Sequence, residues 1–221
     1  MTGGLLNRKR SGGLTVQALS DLNFTINKGE RIALLGHNGA GKSTLLRLLS
    51  DIYAPSRGSM RRYGQVAPLI NKSYWVDTDL SGTHAARAQY LLNCNTIEGF
   101  EDFLDELVAF TELADFIHLP IRTYSDGMKT RLQFGLLTAF RYEALALDEG
   151  LGTGDQWFLS RARERLSQFL GEVGTLILAS HNVELLSQFC SRGLVLEHGR
   201  VVFDGPLNEA FLNYKKGLVK Q

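Results

Sequence analysis

The chain has 221 residues, 44% hydrophobic and 21% charged, which suits one well-buried globular domain with a sub-lobe and argues against a disordered or fibrous chain. A formal net charge of +1 argues by itself neither for nor against nucleic acid, and no nucleic-acid partner is expected. No apolar run approaches the roughly 18 residues of a membrane span, no signal-peptide core opens the chain, and the two cysteines, Cys94 and Cys190, fit no metal spacing and are expected as buried apolar side chains in a reducing compartment.

Residues 1–13 carry four glycines and the basic run Arg8-Lys9-Arg10, the composition of a flexible, solvated arm. Between 14 and 26, Leu22, Phe24 and Ile26 alternate as in a half-buried strand. Asn27-Lys28-Gly29 makes a turn into Arg31-Ile32-Ala33-Leu34-Leu35, an apolar run of buried-strand type. Then comes Gly36-His37-Asn38-Gly39-Ala40-Gly41-Lys42-Ser43-Thr44, which fits G-x-x-x-x-G-K-[ST]. Residues 43–52 follow with Leu45, Leu46, Leu48, Leu49 and Ile52 on one helical face. Turn residues at 54–59 break that pattern, and 60–70 read as strand and loop. From about 71 to 140 the spacing becomes helical, as over 85–92 and 102–114, and a further helix is expected at 129–140.

Strand spacing returns at 143–148, ending in acid, and an amphipathic helix follows at 155–170. Residues 175–180 are nearly all apolar, as a parallel strand buried on both faces requires. A helix at 182–190, a hairpin turning at His198-Gly199 and a last helix opened by Pro206 complete the chain. The expected fold is α/β: a phosphate-loop nucleoside triphosphatase core with a mainly parallel sheet, an N-terminal antiparallel β region and an inserted α-helical subdomain. The expected organisation is an arm at 1–13 and one nucleotide-binding domain at 14–221. Within it the core takes about 14–70 and 141–205, the helical subdomain about 71–140 and a C-terminal helix about 206–217.

The chemistry starts at the glycine-rich loop. Its glycines let backbone N–H groups turn inward onto phosphate oxygens, and the helix that follows aims its positive end at the same place. Lys42 reaches the β- and γ-phosphates, and the Ser43 hydroxyl suits Mg²⁺. With strand, loop and helix all in order, the chain is expected to bind a nucleoside triphosphate. Leu145-Ala146-Leu147-Asp148-Glu149 is a strand that can end beside this loop, with Asp148 holding the ion and Glu149 polarising a water for attack. Ser180-His181 closes the next strand at the edge where parallel sheets bind ligands, so the His181 imidazole can meet a phosphate oxygen. Tyr124-Ser125-Asp126-Gly127-Met128 offers a hydroxyl and a glycine at a helix start, a second phosphate surface or a plain helix cap.

Taken together, these motifs resemble an ATP-binding cassette (ABC) transporter ATPase subunit over about residues 14–205. Ser125 and Gly127 match the family's Leu-Ser-Gly-Gly-Gln loop, whereas Tyr124, Asp126 and Met128 depart from it. Residues 150–155 resemble the loop after the catalytic glutamate, with Asp155 as its aspartate. The form Tyr-Ser-x-Gly-Met, the Gly-Asp ending and Ser-His-Asn look most like the branch that exports cell-surface polysaccharides or teichoic acids.

The resemblance implies ATP and Mg²⁺ as cofactors and a head-to-tail dimer of two copies. One copy's Gly36 to Thr44 and the other's Ser125 and Gly127 hold each ATP, and Asp155 lies near the partner's site. It further implies a separate integral membrane permease and a peripheral place at the cytoplasmic membrane face. Glu149, His181 and Lys42 are the catalytic set it suggests, with Ser43 and Asp148 on the metal. The family's glutamine at the junction with the helical lobe falls either to Gln65, expected within a strand, or to Asn71. No aromatic residue precedes Phe24, so the family's adenine-stacking side chain has no counterpart there. An importer ATPase, a cassette protein acting on ribosomes or DNA, and a nucleotide kinase are the alternatives to an exporter.

Overall fold

The apolar runs expected to be buried line up side by side in one sheet. A computed structural model describes residues 5–8, 14–69, 77–148 and 156–219. Its strands are β1 (Leu5–Arg8), β2 (Leu14–Gln17), β3 (Arg31–Leu35), β4 (Ala67–Leu69), β5 (Ala144–Asp148), β6 (Thr175–Ala179), β7 (Arg192–Glu197) and β8 (Arg200–Pro206). Its α-helices are α1 (Lys42–Leu49), α2 (Gly82–Cys94), α3 (Phe100–Thr111), α4 (Asp126–Leu137), α5 (Gln156–Glu172), α6 (Val183–Phe189) and α7 (Leu207–Val219). They divide into two compact units, one of residues 1–70, 142–149 and 172–221, the other of 71–141 and 150–171.

The first unit is built on a six-stranded sheet in the order β4-β5-β6-β3-β7-β8. All neighbours are parallel except β8, which returns antiparallel to β7. Every residue of β6 is buried, as expected for a strand with packing on both faces, whereas β8 at the edge is exposed at alternate positions. Leu34, Ala179 and Asp148 stand abreast on β3, β6 and β5, so the carboxyl ends of these three strands open at one level. Ile32, Leu34, Leu46, Ile177, Leu194 and Leu196 form the centre of the core. At the opposite ends of the strands, Arg192 donates to Glu30, Asp204 and the Thr25 carbonyl, pinning the starts of β3, β7 and the end of β8. The Asn27 N–H and the Arg192 guanidinium hold the Glu30 carboxyl below the usual carboxylate range.

In the second unit, α2, α3 and α4 enclose Phe100, Leu104, Leu107, Leu113, Leu132 and Leu136. Gly135 lets α4 approach α3 closely, because a Cβ there would lie 2.7 Å from the Leu107 side chain. Glu112 of the α3 end pairs with Arg161 and Arg131, and Arg165 pairs with Glu106 while lying 4.3 Å from the Phe110 ring centroid. These contacts place α5 against α3 within the unit.

Several expectations are corrected. Within the stretch read as an arm, Leu5–Arg8 form a strand antiparallel to Leu14–Gln17. Leu22, Phe24 and Ile26 do alternate in burial and pack on the sheet core, but without a hydrogen-bonded ladder; side-chain anchoring alone produces the period. The helix expected at 129–140 starts three residues earlier, at Asp126, because Ser125 caps it. Pro206 ends β8 and precedes α7 instead of opening it. Cys94 is exposed, not buried; Cys190 is buried, and desolvation pushes its thiol up to about 12.

Candidate nucleotide site

The loop between β3 and α1 is shaped by three left-handed glycines, Gly36 (φ 155°), Gly39 (φ 83°) and Gly41 (φ 109°). Gly41 is the critical one. A Cβ there would lie 2.7 Å from the Leu19 side chain and 3.0 Å from the Ala18 carbonyl, so the conformation and the space both demand glycine. Gly41 also caps α1 and, having no side chain, makes no side-chain cap hydrogen bond to that helix start. A helix start of this kind suits an anion. The loop is braced from outside by the β7–β8 turn, whose Gly199 N–H donates to the Ala40 carbonyl at 3.0 Å. That brace is a supporting contact the motif does not reveal; the His198-Gly199 turn is its signal in the sequence.

Lys42 turns its ammonium back into the loop, donating to the Gly36 carbonyl at 2.5 Å and the His37 carbonyl at 3.2 Å. Ser43, the next residue, donates its hydroxyl to Asp148 Oδ2 at 2.5 Å across 105 residues of sequence. The first turn of α1 and the end of β5 therefore meet. A hydroxyl and a carboxylate at this spacing are hard oxygen donors, the set that Mg²⁺ takes. Ala40 is fully buried beneath the loop, while Asn38 and Gly39 face solvent and Thr44 is half-buried. His181 follows β6, exposed, and the buried Ser180 hydroxyl accepts from the Asn182 N–H at 3.0 Å, setting the turn that carries the imidazole.

The second unit carries Tyr124 to Met128. Tyr124 is buried and its hydroxyl donates to the Phe116 carbonyl at 2.6 Å. Ser125 is exposed and caps α4, accepting from the Met128 N–H at 3.2 Å, and Gly127 lies in the first helical turn. Gln65 stands exposed in the loop ahead of β4 instead of inside a strand. Asn71, Glu149 and Asp155 lie outside the described residues.

The profile of the ABC transporter family matches residues 19–152, which includes the phosphate loop, Ser125 and Asp148. The chain belongs to the ABC transporter family. It is an ATP-binding, ATP-hydrolysing subunit, as the motifs imply. Among curated relatives, the O-antigen export system ATP-binding protein RfbE of Yersinia enterocolitica is 40% identical over 200 residues, covering 90% of this chain and 84% of that protein. The teichoic acids export ATP-binding protein TagH of Bacillus cereus is 32% identical over 210 residues, 95% of this chain but 38% of that protein. The chain thus spans most of the first relative and less than half of the second.

Two solved structures share the ABC ATPase fold. One is the structure of an ATP-binding subunit of an ABC transporter, with TM-score 0.71, 22% identity and coverage of 96% of this chain and 91% of that one. The other is the dimeric post-hydrolysis state of the ATP-binding cassette MJ0796 bound to ADP and Pi, with TM-score 0.67, 17% identity and coverage of 90% and 94%. Among the described residues of this ABC protein, no helix is long and apolar enough to cross a membrane.

Proposed function

We propose that this ABC ATPase powers export of a cell-surface polysaccharide or lipid-linked glycan through a separate integral membrane permease. It works as a peripheral subunit at the cytoplasmic face of the membrane. The Ser43–Asp148 contact carries the catalytic half of this reading, because it joins the phosphate loop to the acidic strand end. The export half rests on relatives whose names are those of O-antigen and teichoic acid export proteins.

Residues 14–221 act as one nucleotide-binding domain, and two copies meet head to tail. Gly36 to Thr44 of one copy and Ser125 and Gly127 of the other grip each ATP, with Asp155 beside the partner's site. Lys42 exchanges its loop carbonyls for the β- and γ-phosphates. Mg²⁺ held by Ser43 and Asp148 would neutralise charge on the phosphates. Glu149 takes a proton from the attacking water, and His181 donates a hydrogen bond to the transferring phosphoryl group. Because the terminal phosphate bonds to both copies, ATP favours the closed dimer and hydrolysis releases it.

Glu149→Gln should keep ATP binding and lower turnover about 10²- to 10⁴-fold, the span usual for a lost general base. Unchanged steady-state hydrolysis would remove Glu149 from the role. For export, a strain lacking the chain should lose its surface glycan and accumulate the lipid-linked precursor inside. The wild-type chain should restore the glycan and Glu149→Gln should not. An intact surface glycan in the deletion strain would refute the export reading while leaving the ATPase reading standing.

A further inference from the structure

Glu112 joins three helices of the second unit through a single carboxylate. It follows the last turn of α3, where its N–H donates to the Val108 carbonyl at 2.8 Å. Its Oε1 accepts from Arg161 of α5 at 2.6 Å, and its Oε2 lies 3.6 Å from Nη1 of Arg131 on α4. Arg161 also donates to the Ala109 carbonyl at 3.4 Å, so α5 reaches the backbone of α3 as well. Among the described residues Arg131 pairs with no other acid, and its Nε is buried without a hydrogen-bond partner.

The backbone at Glu112 is costly. Its φ is 54°, in the left-handed region, at a helix end where glycine is the usual residue. Its two charge pairs are partly open to solvent, where such pairs add little stability. α3 and α4 are already packed together where Gly135 meets Leu107. Stability alone thus favours glycine at 112, and what glutamate adds is a charge between two guanidiniums. Each arginine stands near a functional helix start. Arg131 lies one turn beyond Gly127 on α4, and Arg161 lies in the second turn of α5, which begins directly after Asp155.

We infer that Glu112 is a positioning residue. It ties the starts of α4 and α5 together, so that the groups aimed at the partner copy's ATP, Ser125 with Gly127 and Asp155, keep one spacing. The inference rests on the head-to-tail dimer proposed above. Glu112 acts through Arg131 and Arg161. Without its carboxylate the two guanidiniums repel instead of sharing a partner, and the two helix starts lose their tie. The phosphate loop belongs to the other unit and contains none of these contacts. Its hold on ATP in a single copy is therefore independent of Glu112, whereas closure of two copies around ATP depends on it.

The test uses the full chain carrying Glu149→Gln, so that ATP is not consumed, and follows dimerisation with ATP and Mg²⁺ by sedimentation. Glu112→Gly relaxes the backbone while removing the carboxylate. It should not lower the melting temperature and should leave binding of a fluorescent ATP analogue by single copies unchanged. It should weaken dimerisation about tenfold, the size of coupling expected between contacting charges. With Glu149 restored, the same change should lower kcat at a fixed protein concentration. Arg131→Gln should weaken dimerisation likewise, and joining it to Glu112→Gly should cost little more; if Arg131→Gln does not fold, Arg161→Gln takes its place. Undiminished dimerisation and kcat in Glu112→Gly would overturn the role. So would a loss of dimerisation matched by a lower melting temperature or weaker single-copy binding, because Glu112 would then only support the fold. A Glu149→Gln parent that stays monomeric with ATP would overturn the dimer reading, and this role with it.

Discussion

The helix starts at Gly41 and Ser125 look alike in sequence, each a small residue before a helix that could receive phosphate, but they differ in structure. At α1 the cap is a left-handed glycine, which has no side chain to bond the first N–H groups. At α4 the Ser125 hydroxyl already accepts from the Met128 N–H. The first start carries no side-chain cap of its own; the second is self-satisfied. A phosphate reaching Ser125 has to compete with a helix cap worth about 1 kcal/mol. In the head-to-tail dimer proposed above, this contrast would let the α1 end hold ligand in one copy while the Ser125 end joins when two copies meet.

Of the two helix starts, α1 should give the larger effect. Lys42→Ala is expected to lower ATP turnover about 10²- to 10³-fold, the loss usual for one donor to developing charge. It should also weaken binding of a fluorescent ATP analogue. Retained turnover would mean that the loop and the start of α1 suffice without the ammonium. Gly41→Ala should come next. With φ 109° and a Cβ pressed on Ala18 and Leu19, it is expected to destabilise the fold by about 1–3 kcal/mol, read as a lower urea midpoint.

The sharpest test of the contrast is a pair at Ser125. Ser125→Ala should lower the melting temperature slightly through the lost cap and also depress ATPase activity. Ser125→Asp should restore the cap, since aspartate caps as well as serine does. Its charge repels phosphate, so activity should stay low. Recovery of both together would reduce Ser125 to a cap. The smallest effect concerns acid. Glu30 is held below the usual carboxylate range by Asn27 and Arg192, so its contribution is complete above the ordinary glutamate value. It disappears as pH falls through the lowered one. Stability of wild type relative to Glu30→Gln should therefore shrink on acidification, with no change near neutrality.

Much of this arrangement could be read from the residues. The phosphate loop, the strand ending at Asp148 and the all-apolar β6 announced themselves because each combines a period with a fixed chemical ending. The Ser43–Asp148 contact followed from sheet order, which apolar runs cannot reveal on their own. Helix starts were harder: α4 begins at Asp126, inside the motif expected to precede it, because a serine hydroxyl satisfies a backbone N–H there. Leu22, Phe24 and Ile26 misled in the other direction. Alternating burial marks an extended segment against a core, and a strand needs a hydrogen-bonded neighbour as well. The exposure of Cys94 was not legible at all, since it depends on which side of α2 faces the unit's interior.

Lys42, folded onto the carbonyls of Gly36 and His37, has a consequence for how tightly nucleotide can be held. Its positive head rests among oxygens of its own loop, and in the function proposed above those contacts are given up when phosphate arrives. Binding is therefore a swap of partners, and measured affinity reports the difference between two sets of contacts. A substitution that loosened the lysine from those oxygens while sparing its charge would tighten ATP binding without adding a single contact to the ligand.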